Sequence, residues 1–240
     1  MECGSYRAIK LLEHAMKVTE CVFERRIREK VKIDAMQFGF MPGKGTTNAI
    51  FTVRQMQEKY GCKGKKLYFA FVDLEKAFDR VPREVTRWAL RKAGLEEWLV
   101  KTVMAMYEGA QTVVRTTEGD SKAFNVKVRL HQGSVLSPLL FVTVMEMISR
   151  ELRTGLPLEL LYADDLRWQS EESLRGKIVK WKSGLEAKGL KTNTGKTKVM
   201  FSCSMKDKVE EKGKWPCGVC KNGVGNNLIL CHSCKKWIHK

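Results

Sequence analysis

Along this chain, short continuous apolar runs alternate with longer stretches in which apolar residues return at helical spacing. Leu12, Met16, Phe23, Ile27 and Val31 recur at steps of four and seven, which lays them on one face of an amphipathic helix. The charged face at 24–30 reads as solvated. The stretch QFGFMPGKGTTNAI then breaks regular structure at Gly39, Pro42, Gly43 and Gly45, and Thr46-Thr47-Asn48 can cap a helix after it. Residues 67–72 and 158–162 are short apolar runs bounded by turn or charge signals, Gly64-Lys65-Lys66 before one and Gly155 and Pro157 before the other. Both predict buried strands. Residues 82–93 and 95–107 predict two helices divided at Gly94, with Trp88 and Trp98 as packing residues. Further on, Gln132-Gly133 supplies a turn and Ser137-Pro138 a helix start, since proline's missing N–H costs nothing in a first turn. A mostly apolar helix follows at 139–152.

Asp73 closes the first predicted strand and the doublet Asp164-Asp165 closes the second. Ending a buried strand on carboxylates is costly, because ionised groups in a low-dielectric place neutralise or find a counter-charge. Adjacent aspartates also repel each other unless a cation sits between them. A single aspartate beside a strand end is more often a solvated loop acid. Three carboxylates brought together are the minimum equipment for gripping two divalent cations and joining nucleotides.

Charge supports a polyanionic partner. The 240 residues carry 44 Lys and Arg against 27 Asp and Glu, a formal net charge of +17 spread along the chain. Charge alone would equally suit a ribosome-associated protein or an anionic membrane surface. No apolar run approaches the roughly 20 residues that span a bilayer, and MECGSYRAIK lacks a signal-peptide hydrophobic region. An intracellular protein, nuclear or cytoplasmic, is therefore expected, and its eight cysteines do not read as a disulfide set. Length allows one good-sized core or two modest ones.

Four cysteines form their own constellation: Cys217-x2-Cys220, ten intervening residues, Cys231-x2-Cys234, and His239 after four more. Paired CxxC knuckles predict a structural zinc site, because each short turn aims two thiolates at one tetrahedral ion. Cys3, Cys21, Cys62 and Cys203 have no such partner spacing. The Lys- and Glu-rich stretch before the knuckles reads as a linker, dividing the chain into 1–202, a linker at 203–214 and a cysteine-rich segment at 215–240.

The ordered motifs FVDLEKAFD, HQGSVLSPLLF, LYADD and GLKTNTGKTKVM resemble, in sequence and spacing, the reverse transcriptases of non-LTR (LINE-type, RTE-like) retrotransposons. The resemblance implies an α+β fold, a polymerase palm with partial fingers built as an antiparallel sheet with packed helices, followed here by a small zinc-knuckle segment. It implies that Asp73 and Asp164 hold two magnesium ions with Asp165 beside them, and that RNA template, DNA primer and deoxynucleoside triphosphates are the partners. By the same resemblance Arg7 faces the triphosphate, and Phe78, five residues after Asp73, lies against the sugar and disfavours a 2′-hydroxyl. Gln132 and Gly133 lie along the template and nascent pair, and Lys196 or Lys198 protonates or steadies the leaving pyrophosphate. The cysteine pattern resembles the front half of a PHD-type finger cut short at residue 240.

Three departures keep another reading open. The chain starts at the Arg7 segment, Arg167-Trp168-Gln169-Ser170 is short and polar where the family continues as an apolar hairpin strand, and no thumb is recognisable. The alternative is a truncated, catalytically inactive nucleic-acid-binding remnant carrying a zinc module. A third possibility is a different two-metal enzyme, against which Phe78 and the Gln132-Gly133 loop both argue.

Overall fold

Leu67–Phe71 forms the central strand, β1, and it is buried on both sides. Ala70 and Val72 face one apolar cluster while Leu67 and Phe69 face another, which is why this segment reads as a continuous apolar run rather than an alternating one. The computed structural model describes residues 9–126, 128, 130–152, 165–168, 171–202, 228–230 and 237–239. Arg7, Asp164, the expected strand at 158–162 and Cys217, Cys220, Cys231 and Cys234 lie outside the described residues.

Two helices precede the strand, α1 (His14–Lys30) and α2 (Thr46–Cys62). After it come α3 (Ala77–Arg80), α4 (Arg83–Lys92) and α5 (Glu97–Ala105). A ribbon follows, in which β2 (Gln111–Thr112) pairs with β5 (Phe124–Asn125), and β3 (Arg115–Thr116) with β4 (Gly119–Asp120). The chain then forms α6 (Ser137–Leu152), β6 (Asp165–Trp168), α7 (Glu171–Ala187) and β7 (Lys198–Ser202). Two short strands near the C-terminus, β8 (Leu228–Leu230) and β9 (Trp237–His239), pair antiparallel with Leu228 opposite His239.

The main sheet has the order β6-β1-β7, antiparallel throughout. Arg167 and Trp168, the first half of the stretch expected to be only short and polar, belong to strand β6, while Gln169 and Ser170 lie outside the described residues. Among the described strands β6 stands at the end of the order β6-β1-β7, and its backbone pairing to β1 overrides its composition.

Helix α6 is buried from Leu139 to Ser149, the all-round burial of a core helix. Its start is built as the Ser-Pro signal implies, with the Ser134 hydroxyl accepting the Ser137 N–H at 3.2 Å. Within it, fully buried Glu146 accepts from Arg150 Nε at 2.8 Å, so the buried carboxylate has an ion-pair partner. Helix α7 turns Leu174, Ile178, Trp181 and Leu185 onto the same core. The second cluster, under the opposite face of β1, is closed by Phe38 and by Ala49 and Met56 of α2.

Of the run expected to cap α2, Asn48 does so by accepting the Gly45 N–H at 3.0 Å, with Gly45 at the N-cap and the threonines inside the helix. Two other local expectations need correction. Trp88 packs on the core with the ammonium groups of Lys92 and Lys188 over its ring, but Trp98 is 48% exposed and donates its indole N–H to Glu96. The charged face of α1 is also not purely solvated, since half-buried Arg28 pairs with Glu24 and its guanidinium meets Met41, while Lys30 pairs with Glu96.

Candidate active site

Asp73 stands just past the end of β1, where the chain leaves the sheet. The segment after it is held by the turn that leads into β7: Asn193 N–H donates to the Asp73 carbonyl at 2.7 Å, Glu75 N–H to the Lys191 carbonyl at 2.8 Å, and Asp73 N–H to Thr197 Oγ1 at 3.3 Å. Both main-chain polar groups of Asp73 are therefore used. Its carboxylate has no hydrogen-bond or ion-pair partner among the described residues, and it faces a cavity of 860 Å³.

The same cavity is lined by Phe78, Gln132, Gly133 and Lys196, so four further residues singled out in the sequence meet Asp73 in one place. Lys198, the alternative to Lys196, pairs across the ladder from Phe71 in β7 and does not line the cavity. Asp165 begins β6 with its Cα directly opposite Phe71, two residues before Asp73. Among the described residues no group of three or more His, Cys, Asp or Glu side chains forms a metal cluster. His239 lies in β9, and the cysteines expected to accompany it are outside the described residues.

Phe78 is both a packing residue and a cavity wall. Its ring stacks on buried Phe141 of α6, with centroids 4.8 Å apart, and meets Phe40 edge-on at 6.0 Å. Such contacts are worth about 0.5–1.5 kcal/mol each beyond burial and hold the ring in one orientation. The backbone before it is strained: Lys76 has φ +46°, a left-handed conformation unusual for a residue with a side chain.

The opposite wall is the loop 131–134. Gln132 Nε2 reaches Asp79 Oδ2 at 3.5 Å, and the Leu130 N–H donates to the Phe78 carbonyl at 2.9 Å. His131, 7% exposed, packs against the Tyr107 ring at 4.7 Å and meets Lys10 Nζ through Nε2 at 3.2 Å. Burial pushes the Tyr107 phenol up to about 12. Gly133 has φ +99°, and a Cβ there would lie 2.6 Å from the Lys10 carbonyl oxygen. The close approach that this glycine permits is thus to the chain's own segment at Lys10.

Sequence reasoning missed Glu20. It is 3% exposed, accepts from Ser134 Oγ at 2.8 Å and from Val135 N–H at 2.9 Å, and so ties α1 to the loop. A signal was present: Glu20 falls four residues after Met16 and three before Phe23, filling the gap in the apolar stripe with a carboxylate.

An antiparallel sheet, three-stranded among the described residues, backed by α6 and α7 and with Asp73 just past the end of β1 at an open cavity, is the architecture of a polymerase palm with adjoining fingers helices. Telomerase from Candida tropicalis, in complex with a fragment of telomeric RNA, shares this fold with a TM-score of 0.59 at 16% identity, over 78% of this chain and 34% of that one. Telomerase from Candida albicans gives a TM-score of 0.54 at 10% identity, over 78% and 34%. The chain belongs to the reverse transcriptase (RNA-dependent DNA polymerase) family, whose pattern it matches over residues 2–219. Its relatives place it with the non-LTR retrotransposon type. The Pol polyprotein of the type-1 retrotransposable element R2 of Nasonia vitripennis is 28% identical over 200 residues, 79% of this chain and 20% of that protein. The RNA-directed DNA polymerase of the mobile element jockey of Drosophila funebris is 29% identical over 175 residues, 69% of this chain and 19% of that one. The chain spans about a fifth of the length of these relatives.

Proposed function

We propose that this chain is the catalytic palm and part of the fingers of an RNA-directed DNA polymerase, extending a DNA primer on an RNA template with deoxynucleoside triphosphates. The observation that carries the reading is the convergence of Asp73, Phe78, Gln132, Gly133 and Lys196 on one cavity at the end of β1. Family membership supports the reaction class.

Hard oxygen donors with no competing protein partner suit magnesium, and the Asp73 carboxylate meets that requirement among the described residues. Asp73, Asp164 and Asp165 would hold two such ions, which when bound lower the pKa of the primer 3′-hydroxyl and neutralise charge on the phosphates. The chain's own part is positional. The turn at 191–197 fixes the Asp73 backbone, and the stacked Phe78 ring presents a wall against a 2′-hydroxyl. Gln132 and Gly133 form the facing wall, and Lys196 offers an ammonium to the departing pyrophosphate. Arg7 would meet the triphosphate as a bidentate donor. The basic surface favours a nucleic-acid backbone. No helix among the described residues is long and apolar enough to cross a membrane.

The segment at 215–240 is read as a zinc-binding module in which Cys217, Cys220, Cys231 and Cys234 hold one ion, with His239 available as a substitute. The pairing of β8 with β9 on either side of Cys231 and Cys234 supports a knuckle there. Elemental analysis of purified chain should return about one zinc per molecule, and serine at Cys217 and Cys220 should remove it.

Primer extension on a homopolymer RNA template, with separate dNTP and NTP pools and Asp73→Asn alongside, tests the main reading. Extension by the wild type with dNTPs, lost in the variant, is the expected result. Binding of primer and template without extension by either protein would instead leave a non-catalytic nucleic-acid-binding remnant.

A further inference from the structure

Glu20 is a buried carboxylate that the proposed chemistry does not use. It sits on α1, 114 residues before the serine it contacts, and both of its oxygens are spent on one short stretch: Oε1 accepts from Ser134 Oγ at 2.8 Å and Oε2 from the Val135 N–H at 2.9 Å. Ser134 in turn accepts the Ser137 N–H at the start of α6, so its hydroxyl is fixed from both directions. Ser134 also lines the cavity, next to Gln132 and Gly133 and facing Phe78 and Asp79.

The Phe78 ring is held by its stack on Phe141, and the start of the loop is tied to it through the Leu130 N–H on the Phe78 carbonyl. Beyond Leu130, the width of the slot between the Phe78 ring and the Gln132-Gly133 backbone depends on what anchors residues 131–135. Among the described residues the loop is met by the Lys10 N–H donating to the Gln132 carbonyl at 2.7 Å, by Lys10 Nζ against His131 Nε2 at 3.2 Å, by Gln132 Nε2 reaching Asp79 Oδ2 at 3.5 Å, and by Glu20. Glu20 contributes two short bonds from one buried carboxylate, at 2.8 and 2.9 Å, and bonds to a carboxylate are the stronger kind.

We infer that Glu20 is a positioning residue for sugar discrimination: through Ser134 and Val135 it holds the Gln132-Gly133 loop close enough to Phe78 to exclude a nucleotide bearing a 2′-hydroxyl. The inference rests on the polymerase reading for its substrate, but not for its geometry. Glu20→Gln is the sharpest variant. It keeps an acceptor for Ser134 and the side-chain volume, yet turns an NH2 group toward the Val135 N–H, donor against donor. Glu20→Ala removes both bonds.

The test reads selectivity in two ways on the full chain with an RNA template and DNA primer. One is the ratio of kcat/KM for dATP over ATP in extension. The other is the ratio of their Kd values on a complex whose primer ends in a dideoxynucleotide, which needs no chemistry. Glu20→Gln should lower both ratios by about tenfold, the scale of one lost charge-assisted hydrogen bond, chiefly by improving ATP. Leu174→Ala, a core cavity in α7 that removes no hydrogen bond to the loop, should lower Tm and leave both ratios unchanged. Ser134→Ala should lower the ratios too, and adding Glu20→Gln to it should change little more, as expected of one coupled unit.

Ratios in Glu20→Gln equal to wild type, or shifted equally by Leu174→Ala, would overturn the inference. A changed Kd ratio in a chain that extends no primer would sink the polymerase reading and leave Glu20's role standing. A wild-type chain that binds neither nucleotide would overturn both.

Discussion

The carbonyl oxygen of Lys10 lies 2.6 Å from where a Cβ on Gly133 would stand, and the N–H of the same Lys10 donates to the carbonyl of Gln132 at 2.7 Å. An N-terminal segment and a loop more than a hundred residues later are thus laid against each other at backbone contact. Gly133 also has φ +99°, so steric room and backbone conformation make the same demand.

Gly133→Ala should destabilise the chain by about 2 kcal/mol or more, the combined scale of a side chain forced into left-handed backbone and a main-chain clash. Urea unfolding measures it. Extension should fall as well, because relieving the clash moves the loop away from the cavity.

Asp73→Asn should behave in the opposite way. The carboxylate holds nothing together among the described residues, so Tm should shift by about 1 °C or less, as for surface substitutions. Primer extension should fall by at least about a hundredfold if the group holds catalytic metal. A large Tm loss with the activity loss would recast Asp73 as a structural acid.

Phe78→Ala tests a residue with two jobs. Losing a half-buried ring stacked on Phe141 should cost about 1–3 kcal/mol, and ribonucleotide incorporation should rise relative to deoxynucleotide. Phe78→Tyr keeps the stack and the bulk, so both stability and discrimination should remain near wild type. Thermal melts and single-nucleotide incorporation check the two effects separately.

Tyr107 supplies a pH prediction. Burial raises its phenol from 10.0 to about 12 in the fold, so the folded chain keeps the proton longer than the unfolded one. Stability from this group is fully present below pH 10 and is lost as pH rises toward 12. Two units correspond to about 2.7 kcal/mol at the upper end. Tyr107→Phe should flatten this part of the profile relative to wild type, and the difference between the two curves removes the lysine titrations common to both. Coincident curves between pH 9 and 12 would refute the assignment.

Much of the fold could be read in advance where local patterning and burial agree. The run at 67–72 becomes β1, Ser137-Pro138 opens α6, and the two helices around Gly94 form as spaced. The spacing of FVDLEKAFD also put Asp73 and Phe78 together, since only a tight turn and one helical turn separate them. Legibility failed where a residue's state depends on a distant partner. Arg167 and Trp168 gave no strand signal, yet they pair with Phe69 and Tyr68 of β1 through backbone bonds that carry no side-chain signature. Trp98 looked like Trp88 in sequence but faces solvent.

By itself, the chain's order of apolar runs, glycines and carboxylates determined the strand that runs up to Asp73 and the turn at Gln132-Gly133, while the palm class came from the resemblance of its ordered motifs to a known family. The strand and the turn follow from short-range rules: strand burial, the helix period and the conformations that glycine allows. Tertiary structure alone decided that Lys10 and Glu20 would anchor that turn, and that the turn would face Phe78 across a cavity. No local pattern can encode a contact spanning 114 residues, because the free energy that makes a buried carboxylate acceptable comes from donors that arrive only when the chain closes.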